Sequence, residues 1–302
     1  MSRSSRGAEL TLVLLTANWG FTFVTVKDAL VHADPFTFLA LRFALGAVVL
    51  LPWAWPGFRN AKTLRHGLML GVLLFFGFAF QTWGLVVTTP ARSAFITGLC
   101  VVIVPLVEWL LFRKVVPWAG WVAVAIAVCG LYLLNGGAGQ RATWVGDLLT
   151  LGCAIAYAFH ISLTARFAPG ARVSTLVAVQ LGVVAVGALA LLPFAHPHVA
   201  FTQGFVAAVV FTGVVASAVA ITLQSWAQVR TTAVRAAVIF TLEPLFALLA
   251  SAVILRRETF GPLELFGGAL LIVGVLCAEL GTPFWRWLRS LGGAGGGSPA
   301  RR

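Results

Sequence analysis

The sequence predicts an all-α integral membrane protein whose ten transmembrane helices form two inverted-topology repeats of five. Three observations predict it: a charge-poor composition, ten apolar runs of spanning length, and short motifs that recur at a fixed offset. Hydrophobic residues make up 60% of the 302, charged residues only 10%, and mean hydropathy is +0.97. A soluble domain carries about 25% charged residues. This chain could not cover its surface in water, so lipid is the implied solvent.

A spanning helix needs about 20 mainly apolar residues. The ten runs are 9–27, 35–55, 67–87, 91–112, 117–135, 146–166, 173–194, 204–229, 233–255 and 260–281. Turn and charge signals separate them, among them Asp34-Pro35, Pro56-Gly57, Thr89-Pro90, Arg113-Lys114, Asn135-Gly136-Gly137, Pro169-Gly170, His196-Pro197 and Arg256-Arg257-Glu258. The first run follows Arg3 and Arg6 as a signal peptide would, but no small-residue cleavage site follows, so it reads as a retained span. The chain then divides into an N-terminal segment 1–8, a first repeat 9–135, a linker 136–145, a second repeat 146–281 and a Gly-rich, basic, disordered tail 282–302.

The formal net charge is +12. No basic face or interleaved aromatic platform accompanies it, which argues against a nucleic-acid partner. The basic residues act instead as topology markers. Fifteen of the 21 fall on the side of the N-terminus, five (Lys27, Arg92, Arg141, Arg256 and Arg257) on the other, and Arg42 inside the second run. That bias places both termini in the cytoplasm of a cell (inner or plasma) membrane protein. Cys100, Cys129, Cys153 and Cys277 lie singly in apolar runs with no Cys-x-x-Cys pair, so they read as core fillers rather than a disulfide framework or zinc site. No cofactor is implied.

The repeat appears in two places. Thr88-Thr89-Pro90-Ala91-Arg92-Ser93-Ala94 resembles Thr231-Thr232-Ala233-Val234-Arg235-Ala236-Ala237, an offset of 143 residues. Leu111-Phe112-Arg113-Lys114 resembles Ile254-Leu255-Arg256-Arg257 at the same offset. A five-helix unit has an odd number of spans, so its second copy enters the membrane from the opposite face. Secondary transporters built this way hold substrate near the midplane, between the halves.

Polar groups inside a bilayer are costly and need a reason. Thr11, Asn18, Thr22 and Thr25 share a face of the first span, and Cys153, Tyr157, His160 and Thr164 a face of the sixth. Ser217, Gln224 and Gln228 do so in the eighth; the third offers Gly77, Gln81 and Gly84 beside Phe76 and Phe80. Such stripes face either protein or a wet cavity. The candidate substrate-binding residues are Asn18, Trp19, Thr22, Phe80, Gln81, Tyr157, His160, Gln224 and Glu243; interhelical hydrogen bonding or plain packing is the alternative reading of the first eight, and a structural kink with the carboxylate capping a neighbouring helix that of Glu243. Glu243 lies about 16 Å into the ninth span at ~1.5 Å per residue, near the midplane, where a carboxylate must be paired, hydrated or protonated. Pro244 deprives the Phe240 carbonyl of its helical donor, and Pro105 does the same to Val101, so both are candidate hinges. Arg42 reads as a snorkelling residue near the outer end of the second span, and Glu108 as a neighbour of Arg113. Glu264 and Glu279 sit near the ends of the tenth span, and two loop histidines, His196 and His198, do not make a metal site.

These residues also carry a family resemblance. Asn18-Trp19-Gly20-Phe21-Thr22-Phe23, Pro35 with Leu41-Arg42-Phe43, Phe95-Ile96-Thr97-Gly98, Val104-Pro105-Leu106 and Leu242-Glu243-Pro244-Leu245-Phe246-Ala247 with Arg257-Glu258 resemble, in order and spacing, helix signatures of EamA-type members of the drug/metabolite transporter superfamily. The resemblance covers about 9–281. It implies a ten-helix inner-membrane transporter with a cavity lined by helices 1, 3, 4, 6, 8 and 9, in a family that includes YddG-like aromatic amino-acid exporters. Departures are Arg113-Lys114-Val115, where many members carry an acid like Glu258, and Tyr157, which stands where the repeat would place a partner for Trp19. The expectation is a secondary transporter, an exporter of amino acids or similar small metabolites, working by alternating access as a monomer or homodimer. A flippase or carrier of lipid-linked substrates on the same fold is the rival and would need a basic headgroup pocket. An intramembrane enzyme is disfavoured, because no clustered nucleophile and base, metal-spaced set, or phosphate-binding loop is present.

Overall fold

The computed structural model describes residues 3–88, 90–134, 144–250 and 261–292, and they form helices throughout. In order these are α1 (Arg3–Ala29), α2 (Pro35–Ala54), α3 (Ala61–Val87), α4 (Pro90–Gly98), α5 (Cys100–Phe112), α6 (Trp118–Leu134), α7 (Trp144–Phe167), α8 (Val173–Leu191), α9 (Gln203–Val210), α10 (Ala220–Gln228), α11 (Ala233–Phe240), α12 (Glu243–Leu249) and α13 (Pro262–Gly292). A π-helical segment, Phe211–Val219, joins α9 to α10 without a break in the rod. Among the described residues, seven rods are long and apolar enough to cross a membrane, counting α4 with α5 as one and α9 through α10 as another. Trp118–Leu134 and Leu265–Ala278 are shorter apolar helices.

Local chemistry sets the helix starts. Asp34 accepts from the amides of Phe36 and Thr37 ahead of Pro35 at the first helical position of α2, and its second oxygen accepts from His198 N, tying the 195–200 loop to the same end. Asn60 caps α3 through Thr63 N. That cap begins the helix six residues before the expected 67, so Lys62 and Arg65 ride on its first turns rather than in a loop. The last span was expected to stop at 281, but α13 continues to Gly292. Pro283 costs one helical hydrogen bond there, and Phe-Trp-Arg-Trp-Leu continues as adequate helix-forming sequence. Most of the 136–145 linker, the Arg256-Arg257-Glu258 turn with the second copy of the Leu-Phe-Arg-Lys motif, and residues 293–302 lie outside the described residues.

Packing follows the small residues. α2 lies along α8, α3 along α7 and α8, and α6 along α13, while α1 crosses α10, α11 and α12. At the α1–α12 crossing a Cβ on Gly20 would sit 2.7 Å from both the Glu243 carbonyl oxygen and the Ala247 nitrogen, so glycine is required for the approach. One buried cluster gathers Leu12, Val101, Ile161 and Ile239 from α1, α5, α7 and α11; another gathers Phe43, Leu74, Leu181 and Ile221 from α2, α3, α8 and α10. Large apolar side chains also cover the outside. Trp53, Trp55, Trp118 and Trp144 stand exposed at helix ends, the positions indole rings take at a membrane interface.

Two rods are interrupted in the same way. The first breaks at Leu99, whose amide bonds back three residues to Ile96 O while Val102 N bonds to Leu99 O. The second breaks at Thr241-Leu242, with Thr241 N on Val238 O and Leu242 N on Ile239 O. Leu99 and Leu242 stand 143 residues apart, the motif offset. Pro244 lies two residues after Leu242, directly beyond its break. Pro105 does not: α5 runs through it unbroken, six residues beyond the interruption. The first break carries Gly98 instead, a residue that weakens helix propagation without a proline.

Candidate functional site

A cavity lies where α1, α2, α3, α7 and α10 meet the two broken rods. Trp19, Thr22, Gln81, Tyr157, His160, Gln224 and Glu243 line it, seven of the nine predicted binding residues. Asn18 and Phe80 are not among its lining. Asn18 is one turn position away from the lining face, and its amide nitrogen is buried without a hydrogen-bond partner. Phe80 packs its ring over Gly152 on α7 and against Phe76, filling the α3–α7 seam.

The lining was drawn from more residues than the polar stripes suggested. Thr97, Gly98 and Cys100 come from the first break, Phe240 and Glu243 from the second, and Leu74, Phe78, Ile161 and Ile221 supply apolar wall. The main correction concerns Arg42. It does not snorkel: it is 3% exposed and faces the cavity. Its Nε donates to Ser217 Oγ at 2.9 Å, and its guanidinium carbon lies 4.9 Å from the ring centres of both Phe43 and Phe78. Sequence reasoning missed it because position along a helix was used, and not the face. Arg42 lies three and four residues after the buried Leu39 and Phe38, on the same helix face, which is the available signal.

Each polar group on the wall is held. Trp19 Nε1 donates to Ala216 O in the π-helical segment at 2.9 Å, and its ring meets Phe240 edge-on. Thr22 Oγ1 donates back to Trp19 O. Tyr157 fits against α3 because Gly77 has no Cβ; one there would lie 2.3 Å from the Tyr157 ring. The Tyr157 hydroxyl reaches Gln81 Oε1 at 3.4 Å. His160 Nε2 is 2.8 Å from Gln180 Oε1, and Gln180 Nε2 donates to Leu176 O, so the imidazole donates to the amide oxygen. Gln224 donates to Gln228, which donates to Ile161 O. Glu243 is the exception: its carboxylate has no hydrogen bond or ion pair among the described residues. Elsewhere Glu108 pairs with Lys114 at 3.0 Å rather than with Arg113, which turns away at positive φ. No group of three or more His, Cys, Asp or Glu residues converges among the described residues, so nothing there resembles a metal site.

The lining residues pair off along the chain. Trp19 and Tyr157, and Thr22 and His160, are each 138 residues apart; Phe78 and Ile221, Gln81 and Gln224, Thr97 and Phe240, and Cys100 and Glu243 are each 143 apart. The sequence profile described as the EamA-like transporter family matches this chain twice, over residues 6–136 and again over 144–279. The protein belongs to the EamA-like transporter family. The two matches begin 138 residues apart and end 143 apart, so the spacing of the cavity pairs is the spacing of the two EamA matches.

Among EamA relatives, an uncharacterized transporter of Archaeoglobus fulgidus is 31% identical over 273 residues, covering 90% of this chain and 86% of the relative. The uncharacterized transporter YcxC of Bacillus subtilis is 25% identical over 298 residues, covering 90% and 93% respectively. A solved crystal structure superposes with a TM-score of 0.75 at 20% identity, over 93% of this chain and 98% of the other, a likeness of fold. The protein is therefore a multi-pass membrane transporter of the drug/metabolite type, with a small-molecule substrate and the bilayer as its surroundings. Transport, not catalysis, is what its family does.

Proposed function

We propose that this protein is a secondary transporter of small zwitterionic metabolites, with amino acids as the best-fitting class, acting by alternating access. The observation that carries this reading is the pairing of the cavity lining: six pairs of wall residues are related by the same offsets that relate the two family matches. A cavity shared by two copies of one unit suits a site at the interface of two inverted five-helix repeats. In that arrangement α4–α5 and α11–α12 are single broken spans, α6 and α13 supply the fifth and tenth, and the chain crosses the inner membrane ten times with both termini cytoplasmic.

The lining favours an amphipathic substrate. Trp19, Phe78, Tyr157 and Phe240 offer aromatic faces, Gln81, His160 and Gln224 offer neutral hydrogen bonds, and Thr22 and Thr97 add hydroxyls. Asn18, Phe80, Pro105 and Pro244 then serve as supporting residues around the site, with the Pro244 break as the better hinge. Aromatic amino acids suit such a wall, as in YddG-like exporters, and export follows the family resemblance. The test is uptake and efflux in proteoliposomes against amino acids, nucleosides and lipid-linked sugars. Saturable movement of an amino acid supports the reading; movement of none of them, with a folded protein, overturns it.

A second reading, a carrier of amphipathic or lipid-linked substrates, draws support from Arg42, a buried cation on the wall that could receive an anionic headgroup. Glu243 on the same wall works against it, since a carboxylate repels such a group. The same panel separates the two.

A further inference from the structure

We infer that Arg42 is an anion subsite and that, with Glu243, it fixes the orientation of a substrate carrying both charges. This deepens the transport reading above and rests on it for the location of the site. Arg42 is 3% exposed, so it has left water almost completely. Its only hydrogen bond among the described residues runs from Nε to the neutral Ser217 hydroxyl. No carboxylate pairs with it, and its Nη groups have no acceptor there. The rings of Phe43 and Phe78 cover its surroundings at 4.9 Å, which stabilises a cation but supplies no hydrogen bonds. A guanidinium cannot shed its proton to escape such a site, and a buried charge without a partner is strongly unfavourable. The remaining N–H groups form a fork that matches a carboxylate or phosphate oxygen pair, and Arg42 lines the cavity.

Glu243 is its complement. It lines the same cavity, makes no ion pair among the described residues, and stands on the second broken rod while Arg42 stands on α2. The pairing along the chain sharpens the point. At the offsets that relate the other wall residues, Arg42 corresponds to Gln180 and Glu243 to Cys100. Each charge is thus present in one half and neutral in the other. A substrate with a carboxylate at one end and an ammonium at the other satisfies both groups in a single orientation.

The test uses three molecules with one aromatic side: phenylalanine, phenethylamine and 3-phenylpropanoate. Ligand-induced shifts in thermal stability report binding to the purified protein, and proteoliposomes report transport of phenylalanine. Arg42→Gln is expected to weaken binding of phenylalanine and 3-phenylpropanoate about tenfold or more and to leave phenethylamine unchanged, the scale of one lost charged hydrogen bond. Glu243→Gln is expected to do the reverse, weakening the two amines. Arg42→Lys keeps the charge and checks that the position tolerates change. Unaltered 3-phenylpropanoate binding in Arg42→Gln overturns the subsite, and so does the absence of any response in the wild type. If the wild type binds 3-phenylpropanoate through Arg42 but transports no amino acid, the subsite stands and the transport reading falls. If phenylalanine is transported equally by wild type and Arg42→Gln, the transport reading stands and the subsite falls.

A second, independent observation lies at the ends of the same helices. Arg92 grips Asp147 through two hydrogen bonds of 2.6 Å, joining α4 to α7. Arg235 reaches Glu9 at 3.4 Å, joining α11 to α1. Arg92 and Arg235 are 143 residues apart, and Glu9 and Asp147 are 138 apart, so the two ion pairs are copies of one another, each bridging the two halves. In the topology proposed above they fall on opposite faces of the membrane. We propose that they are paired gates, one closing the cavity to the outside and the other to the cytoplasm. Cys100 on the cavity wall is a built-in reporter once Cys129, Cys153 and Cys277 are replaced by Ala. Asp147→Asn is expected to speed its modification by a membrane-impermeant thiol reagent from outside, and Glu9→Gln from the cytoplasmic side in inside-out vesicles, each by about tenfold. The exchanged pair Arg92→Asp with Asp147→Arg is expected to restore slow labelling. Unchanged labelling in both single variants, with the protein inserted, overturns the proposal.

Discussion

The two halves of the cavity match at their broken rods and differ in charge. Gln81 on α3 is answered by Gln224 on α10, and the interruption at Leu99 by the one at Leu242. Cys100 is answered by Glu243, and Arg42 by Gln180, which is spoken for by His160 and Leu176 rather than left with free donors. Duplication therefore supplies the shape of the site, including its broken rods, while single substitutions in each copy supply its polarity. A fully symmetric cavity would accept a substrate in two orientations equally. With Arg42 and Glu243 acting as proposed, this one distinguishes its ends.

The comparison can be broken most severely at Glu243. Glu243→Gln removes the charge at nearly constant size, and substrate uptake is expected to fall about ten- to a hundredfold, the range of a lost hydrogen bond to a charged group at ~1.5–3 kcal/mol. Uptake at the wild-type rate, with the variant inserted and monodisperse, would show the carboxylate to be structural. A sharper trial moves the charge to its counterpart by combining Cys100→Glu with Glu243→Cys. If the two positions are equivalent across the halves, part of the uptake lost in Glu243→Cys alone returns in the double variant; no recovery separates them.

Smaller effects test the scaffold. Gly77→Ala places a methyl group against the Tyr157 ring and is expected to lower thermal stability by ~1–3 kcal/mol, the usual range for overpacking. Its counterpart 143 residues on is already alanine, Ala220, and there the reverse change, Ala220→Gly, should cost only ~1 kcal/mol of helix propensity. Ser217→Ala removes the hydroxyl on Arg42 and should cost about 1 kcal/mol while shifting 3-phenylpropanoate binding, since the guanidinium loses one of its holds. Phe80→Ala should lower the melting temperature and leave substrate preference alone, because its ring fills the α3–α7 seam outside the cavity.

Much of this was legible before any coordinates, for physical reasons. Lipid tolerates so few polar residues that each one inside a span stands out, and seven of nine candidates lie on one wall. The failures share a cause: one-dimensional position does not give facing. Distance from a helix end does not show that Arg42 faces inward, and sequence neighbours do not show that Phe80 fills a seam. Proline removes a donor at both Pro105 and Pro244, but the first rod breaks at Gly98-Leu99 rather than at Pro105. The apolar half of the wall, Leu74, Phe78, Ile161 and Ile221, was invisible because in this chain apolar residues face lipid, core and cavity alike.

The π-helical segment Phe211–Val219 sets the phase of everything after it. An ordinary helix turns about 100° per residue, and the wider π turn accommodates residues that a tighter coil would carry further round. Through it Ala216 O meets Trp19, Ser217 meets Arg42, and seven residues after Ser217 Gln224 still lines the cavity, with Gln228 bonded behind it. Deleting one residue here would rotate α10 by one helical position and turn Gln224 off the wall. In this stretch, the identity of the cavity is a matter of counting residues, and the length of the segment shapes the wall as much as any side chain that lines it.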